Sequence, residues 1–288
     1  PRSPPSFTRV YYAAYRDGAW TDPERIYHSQ SGVHWVAQNA PSFVSDAKGT
    51  LHLAFPGPAA KTRIVYLRRG WGEDWKDRSP EITRPAPYVS LVTEGDGRLS
   101  LAYVSTPVAG GQTTRLFYRH SDDDGKTWSE PGVVNSKQVN VVFRPRLLKA
   151  PSGTLHLLWV TDADTSSHSK VVWHSRSADR GATWTPPEWV VGSKKGPFTH
   201  LRTAIDGCGA LHLVARTIGP ENDLYYTYWT GAAWSEPATP FSDDYHFGGD
   251  LFKGPEGDLH LVWSSSDRYG RGVDVRPRSA VRPPCRQQ

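Results

Sequence analysis

One phrase recurs five times in this chain, and that recurrence limits its fold more than any other feature. The phrase is Gly-x-Leu-His-Leu-x-Trp or a close variant. Its copies are Gly49-Thr-Leu-His-Leu-Ala-Phe55, Gly97-Arg-Leu-Ser-Leu-Ala-Tyr103, Gly153-Thr-Leu-His-Leu-Leu-Trp159, Gly209-Ala-Leu-His-Leu-Val-Ala215 and Gly257-Asp-Leu-His-Leu-Val-Trp263. The glycines lie 48 or 56 residues apart. A repeat of that length, alternating apolar residues between turn formers, specifies an all-β chain whose copies are the blades of a β-propeller.

A second element follows each phrase: an aromatic strand, a turn, then a tryptophan. The copies are Arg63-Ile-Val-Tyr66 to Trp75, Arg115-Leu-Phe-Tyr118 to Trp128, Lys170-Val-Val-Trp173 to Trp184 and Asp223-Leu-Tyr-Tyr226 to Trp234. The fifth copy stands at the N-terminus, as Arg9-Val-Tyr-Tyr12 to Trp20. The expectation is therefore a five-bladed propeller with four antiparallel strands per blade. The N-terminal strands would complete the last blade, so that hydrogen bonds close the ring and no sheet edge is left open. The repeat runs through the whole chain and predicts a single domain over residues 1–288, with 1–8 and 279–288 as tails. The segment Arg271-Gly-Val-Asp-Val-Arg276 is a candidate edge strand without an assigned place.

Two copies of the second element carry a sharper motif, Ser121-Asp-Asp-Asp-Gly-Lys-Thr-Trp128 and Ser177-Ala-Asp-Arg-Gly-Ala-Thr-Trp184. In such a tight turn Ser and Asp side chains bond local amides, Gly accepts a positive φ, and Trp plugs the turn onto its blade. The motif resembles the Asp box of the sialidase-like superfamily, also called the bacterial neuraminidase repeat. That resemblance implies a propeller and places these turns on the face away from the active site. Many members of the superfamily are not sialidases, and fold does not fix function. The acids Asp122 to Asp124 read as turn residues rather than a calcium loop, since the sister copy Ser177–Trp184 has no acid at the places of Asp122 and Asp124. His52, His156, His212 and His260 recur at one strand position and read as hydrogen-bonding groups between blades.

Resemblance to propellers implies a ligand site at the central funnel, where the innermost strands begin. Counted back from the repeat glycines, those strands start Asn39-Ala-Pro-Ser42, Pro87-Tyr-Val-Ser90, Phe143-Arg-Pro-Arg146, Thr199-His-Leu-Arg202 and Phe247-Gly-Gly-Asp250. Residues two apart share a face of a strand. One column reads Ala40, Tyr88, Arg144, His200, Gly248; the next reads Ser42, Ser90, Arg146, Arg202, Asp250. These columns are polar, and they differ from blade to blade. One central site with one ligand fits such asymmetry better than a repeated lectin site does; mutual pairing of Arg146, Arg202 and Asp250 across a wet channel is the structural alternative.

Loops leading into these strands add His34, Gln38, Asn39, Arg84, Asn140, Asp243, Asp244, Tyr245 and His246. Planar guanidinium forks suit carboxylate, sulfate or phosphate. Arg84, Arg144, Arg146 and Arg202, with Asn39, Tyr88 and Asn140, are accordingly the candidate substrate-binding residues. Asp250, Asp244, His246, His200 and Tyr245 are the catalytic candidates. Asp250 and Asp244 suit a hydrolase, one acid raising the affinity of the other for its proton. Arginine with His200, His246 or Tyr245 suits a lyase acting beside a uronate carboxylate.

Sialidases hold the substrate carboxylate with three arginines and use a Tyr–Glu pair. The Phe/Tyr-Arg-Ile-Pro signature of that family is absent, Phe143-Arg-Pro-Arg146 only echoes it, and five blades are fewer than six. The leading expectation is a secreted or periplasmic carbohydrate-active enzyme, glycoside hydrolase-like, with one funnel site for an anionic glycan or similar polar anion. The alternatives are a polysaccharide lyase, a multivalent lectin and a protein-binding scaffold.

No phosphate loop, Cys-x-x-Cys, His-Glu-x-x-His or nucleophile elbow occurs, so no cofactor or metal is expected. The net charge of +5 lacks a long basic run; an acidic polysaccharide explains it as well as nucleic acid would, and nucleic acid is not expected as a partner. No span is long enough to cross a membrane. A Cys208–Cys285 pairing would pin the tail and fit an oxidising compartment.

Overall fold

The computed structural model describes residues 8–29, 42–57, 64–82, 86–105, 114–134, 142–162, 170–193, 196–218, 223–239, 245–266, 274–275 and 278–279. The described chain is all-β, with a propeller-like succession of antiparallel up-and-down sheets. It divides into two compact units, Pro1–Val134 and Asn135–Gln288.

In the first unit, β1 (Thr8–Tyr12) pairs with β4 (Glu24–Ser29), and β2 (Tyr15–Arg16) pairs with β3 (Ala19–Trp20) as a small ribbon. Two four-stranded sheets follow. One comprises β5 (Ser42–Ser45), β6 (Leu51–Pro56), β7 (Ile64–Arg69) and β8 (Lys76–Asp77). The other comprises β9 (Tyr88–Gly95), β10 (Arg98–Ser105), β11 (Arg115–Ser121) and β12 (Gly132–Val133). Their facing sides share a core that includes Tyr66, Leu91, Leu101 and Tyr103. Both faces of β6 and β10 are covered, which is why these strands are buried almost end to end instead of alternating.

The second unit holds three sheets. The first is β13 (Val142–Lys149), β14 (Leu155–Asp162), β15 (Lys170–Ser177) and β16 (Glu188–Ser193). Then come β17 (Phe198–Ile205), β18 (Leu211–Thr217) and β19 (Leu224–Trp229). The last contains β20 (Tyr245–Lys253), β21 (Leu259–Ser266), β22 (Asp274–Val275) and β23 (Arg278–Ser279). One core joins the first two sheets around Leu158, Leu201 and Leu213; another joins the last two around Val214, Leu251 and Trp263.

Two expectations are corrected here. Among the described residues five four-stranded blades are not found: four sheets have four strands, and β17–β19 has three. Nor, among the described residues, do the N-terminal strands pair with the last sheet. β1 pairs with β4, while the outer edge of β21 is filled by β22 and β23, so that edge already has its hydrogen bonds. The candidate edge strand near Arg271–Arg276 thus appears in part, as Asp274–Val275 against Ser264 and Ser265.

The Ser-x-Asp turns form by the bonds their sequence implies. Ser121 Oγ accepts from Gly125 N at 2.8 Å, and Asp123 accepts from Thr127 N at 2.9 Å. Ser177 and Asp179 repeat the arrangement with Gly181 and Thr183. Burial raises the Asp123 carboxyl, but hydrogen bonds led by the Thr127 amide and hydroxyl outweigh it and bring the pKa down to about 2. Gly125 has φ +76°, and a Cβ there would lie 2.1 Å from Tyr66 Oη, so only glycine fits. The tryptophan plugs a seam rather than its own blade: Trp128 stands edge-on to Tyr66 of the preceding sheet, 5.1 Å between ring centroids.

The repeated histidine bonds within its sheet, not between blades. His52 Nδ1 lies 2.7 Å from Tyr66 Oη, His156 Nδ1 3.0 Å from His174 Nε2, and His212 Nδ1 2.9 Å from Tyr226 Oη. Each partner sits on the next strand. His260 differs, facing Asp258 at 2.8 Å with its side chain partly exposed.

Candidate functional site

Strand register aligns the polar column read from the sequence. Ser42 and Ser90 pair opposite Ala54 and Ala102 in the first unit; Arg146, Arg202 and Asp250 pair opposite Leu158, Val214 and Val262 in the second. Each partner is the sixth residue of the phrase, so the five positions are equivalent. Within the second unit β13 contacts β17, and β17 contacts β20. Three ionisable side chains therefore occupy equivalent places on three neighbouring inner strands.

All three of these strands bulge just before that place. The ladder slips between Phe143 and Arg146, between Phe198 and His200, and between Phe247 and Gly249. A different residue supplies each irregularity. Pro145 has no N–H for the ladder, Thr199 is the extra residue in β17, and Gly248 relaxes β20. A phenylalanine precedes each bulge, and Phe198 is buried while Phe143 packs on the same core. Arg144 has φ +53°, an unfavourable conformation for a side-chain-bearing residue ahead of proline. Bulges of this kind re-aim side chains, and they concentrate beside active sites.

The bulges bring together a cationic cluster. Arg146 Nε and Arg202 Nη1 each donate to Leu201 O at 3.1 Å, so two guanidinium groups converge on one carbonyl oxygen. Arg202 Nε also faces Asp250 Oδ1 at 3.3 Å, and Asp250 accepts from the Leu251 amide. The Asp250 side chain is 76 % exposed. Burial first, then Arg202 and Arg144, pushes the Arg146 guanidinium down to about 10, with Asp250 opposing. His200 is lowered to about 4, by burial and then by Arg216, Arg144, Arg202 and Arg146, so its imidazole is neutral at pH 7. Its Nδ1 lies 3.1 Å from Thr199 Oγ1. His200, Arg202 and Arg216 line a small cleft, with about 10 Å³ of enclosed space, whose apolar wall is Val214, Leu224, Leu261 and Trp263.

Of the sequence candidates, Arg144, Arg146, His200, Arg202 and Asp250 are thus assembled in the second unit. Tyr88 begins β9 in the first unit, opposite Val104. Tyr245 and His246 begin β20, paired with Ser266 and Ser265. Asn39, Arg84, Asn140 and Asp244 lie outside the described residues, as do His34, Gln38 and Asp243. Arg216 was not among the candidates. Its signal was present: the residue after each phrase is Pro56, Val104, Val160, Arg216 and Ser264, and the arginine breaks that pattern. It is buried at 8 % exposure. No group of three or more potential metal ligands occurs among the described residues, and none of their helices is long and apolar enough to cross a membrane. Cys208 is disulfide-bonded, and the chain's other cysteine is Cys285, outside the described residues.

The sequence matches the family described as a BNR repeat-like domain over residues 5–188 and 97–219. No curated protein matches it. Among solved structures it is similar to a Hadza microbial sialidase, with a TM-score of 0.63 at 16% identity, covering 82% of this chain and 57% of the sialidase. A PL25 ulvan lyase bound to -[GlcA(1-4)Rha3S]- is similar over 94% of this chain and 79% of its own, with a TM-score of 0.62 and 14% identity. The Penicillium chrysogenum alpha-L-arabinanase follows at a TM-score of 0.56 and 17% identity, over 83% of this chain and 80% of that one. At such identities these likenesses are of fold alone.

Proposed function

The chain belongs to the BNR repeat-like family, and within that fold we propose that it is a carbohydrate-active enzyme that cleaves a uronate-bearing glycan by β-elimination at the second unit's arginine–histidine cluster. The observation that carries this reading is a neutral histidine set among arginines. Elimination needs both parts. An arginine must neutralise the uronate carboxylate so that the neighbouring C5–H becomes acidic, and an uncharged base must take that proton. Arg202 suits the first task and His200 the second, since both line one cleft.

In this mechanism His200 removes the C5 proton, the electron pair forms the C4–C5 double bond, and the C4–O bond breaks. The departing oxygen takes up a proton from water or from a group on β20. The fold likeness to a polysaccharide lyase supports the reading without carrying it. Hydrolysis has less support from this cluster. A general acid must keep its proton through burial or a neighbouring anion. Asp250 is exposed and faces a cation instead, and Asp244, its expected neighbour, lies outside the described residues. Secretion is part of the proposal, and disulfide-bonded Cys208 fits it.

The test is turnover of uronate-bearing oligosaccharides followed at 235 nm and by reducing-end release. New absorbance that His200→Ala and Arg202→Gln each reduce about 100-fold or more, without lowering the melting temperature, is the expected result. Reducing ends without absorbance would turn the reading to hydrolysis. Unchanged turnover in both variants would remove the site from the second unit.

A further inference from the structure

The arginines of the cluster do not all face the same space. Arg202 lines the cleft together with His200 and Arg216, whereas Arg146 is not part of that lining. Arg146 reaches Leu201 O from β13, and this is its only hydrogen bond among the described residues, where it makes no ion pair. A partly buried guanidinium normally has an anionic partner, because its remaining N–H groups lose water without compensation. Asp250, the carboxylate at this register, is taken by Arg202 and points largely to solvent. The bulge that carries Arg144 lies immediately beside Arg146, and it is held in a strained conformation. Strain retained beside a cationic group is a mark of a site rather than of packing.

We infer that the cluster holds two anionic groups of one saccharide at once, a carboxylate at Arg202 in the cleft and a second oxyanion, such as a sulfate ester, at Arg146. This rests on the reading of the cluster as a glycan site and goes a step further, to a doubly charged substrate. A guanidinium fork receives the second oxyanion through paired N–H donors, which Leu201 O leaves available on Arg146. The two positions sit on neighbouring strands, β17 and β13, so one sugar unit or two adjacent ones would span them. Discrimination follows from the same geometry. A substrate lacking the second charge leaves the Arg146 donors unmatched and binds more weakly for it.

The experiment is calorimetric titration of the whole chain with an unsulfated uronate oligosaccharide, its sulfated counterpart and inorganic sulfate. The sulfated ligand is expected to bind about tenfold tighter or more than the unsulfated one. Inorganic sulfate should bind alongside the unsulfated ligand and be displaced by the sulfated one. Arg146→Gln should weaken the sulfated ligand about tenfold more than the unsulfated ligand, and Arg146→Lys should recover part of that difference. Equal affinities, or mutual exclusion between inorganic sulfate and the unsulfated ligand, would overturn the second position. Turnover of the unsulfated ligand would still stand in that case and the proposed function with it. If neither saccharide binds, both proposals fall together. Should the Arg146 variants not fold, the competition measured on the unaltered chain decides alone.

Discussion

At equivalent register positions the two units use different chemistry. The first unit places Ser42 and Ser90 where the second places Arg146, Arg202 and Asp250. It pairs Ser100 with Tyr118, Oγ to Oη at 2.6 Å, where the second stacks His156 on His174 with Glu188 behind at 2.8 Å. The seam into which Trp128 fits is a phenol ring, Tyr66; the seam into which Trp234 fits is an imidazole, His174. Its inner strands also differ in shape. Neither β5 nor β9 slips at its beginning, whereas β13, β17 and β20 all do. One backbone plan thus serves two purposes: the neutral version holds sheets together, and the ionisable version carries a bulged cluster suited to a ligand.

The sharpest way to break that comparison is acid. Burial, then the neighbouring His156 and Arg176, lowers His174 to about 2, while burial and Arg176 lower His156 to about 4. Both values lie below the unfolded value of roughly 6.5, so between those limits the unfolded chain binds protons that the folded chain refuses. The stability these histidines contribute is complete above about pH 6.5 and is lost as pH falls toward 4 for His156 and toward 2 for His174. Two such groups amount to a loss on the order of 4 kcal/mol by pH 4.5. In the first unit His52 is also lowered by burial, but Asp46 at 3.6 Å opposes the shift. Replacing His156→Ser and His174→Tyr together would import the Ser100–Tyr118 pair. The pH slope of the unfolding midpoint should flatten in that double variant, and an undiminished slope would show that acid acts elsewhere.

The seams come next in size. Trp128 donates its Nε1–H to Arg78 O at 3.3 Å and meets Tyr66 edge-on. Trp128→Ala should destabilise the protein by roughly 3 kcal/mol, the cost of a large aromatic lost to a cavity. Chemical denaturation measures it directly, and a midpoint unchanged within error would mean that the turn holds without its plug. Catalytic turnover per folded molecule should stay as it was, because the tryptophan belongs to the first unit's packing.

How much of this was legible in the sequence follows the same division. The phrase predicted each inner pair of strands, and its register carried the column from Ser42 to Asp250 correctly, because period-two alternation locks register wherever a face is buried. Closure by the N-terminus was not legible: strand-like composition at Arg9–Tyr12 gives no partner, and Glu24–Ser29 pairs with it locally. The histidine partners were misread because a repeat shows which position recurs, not which neighbour it bonds. Bulges were invisible except at Pro145, since Thr199 and Gly248 leave the apolar alternation intact. Arg216 lies outside the columns that begin each sheet, yet as the residue after the phrase it shares the same cleft.

The smallest effect tests how the inner strands are tied together. In the first unit Ser42 Oγ accepts from Leu91 N at 2.8 Å and donates to Leu91 O at 3.1 Å, joining β5 to β9 by one neutral hydroxyl. In the second unit Arg146 Nε reaches Leu201 O and joins β13 to β17 with a cation. The hydroxyl satisfies two backbone groups and leaves nothing for a ligand; the guanidinium satisfies one and keeps further donors. Ser42→Ala should therefore cost about 1 kcal/mol of stability, the net value of such bonds in a partly buried place, and leave turnover unaltered. A drop in turnover larger than the drop in folded fraction would mean that the neutral seam also serves the ligand, and the division between a structural and a functional unit would have to be abandoned.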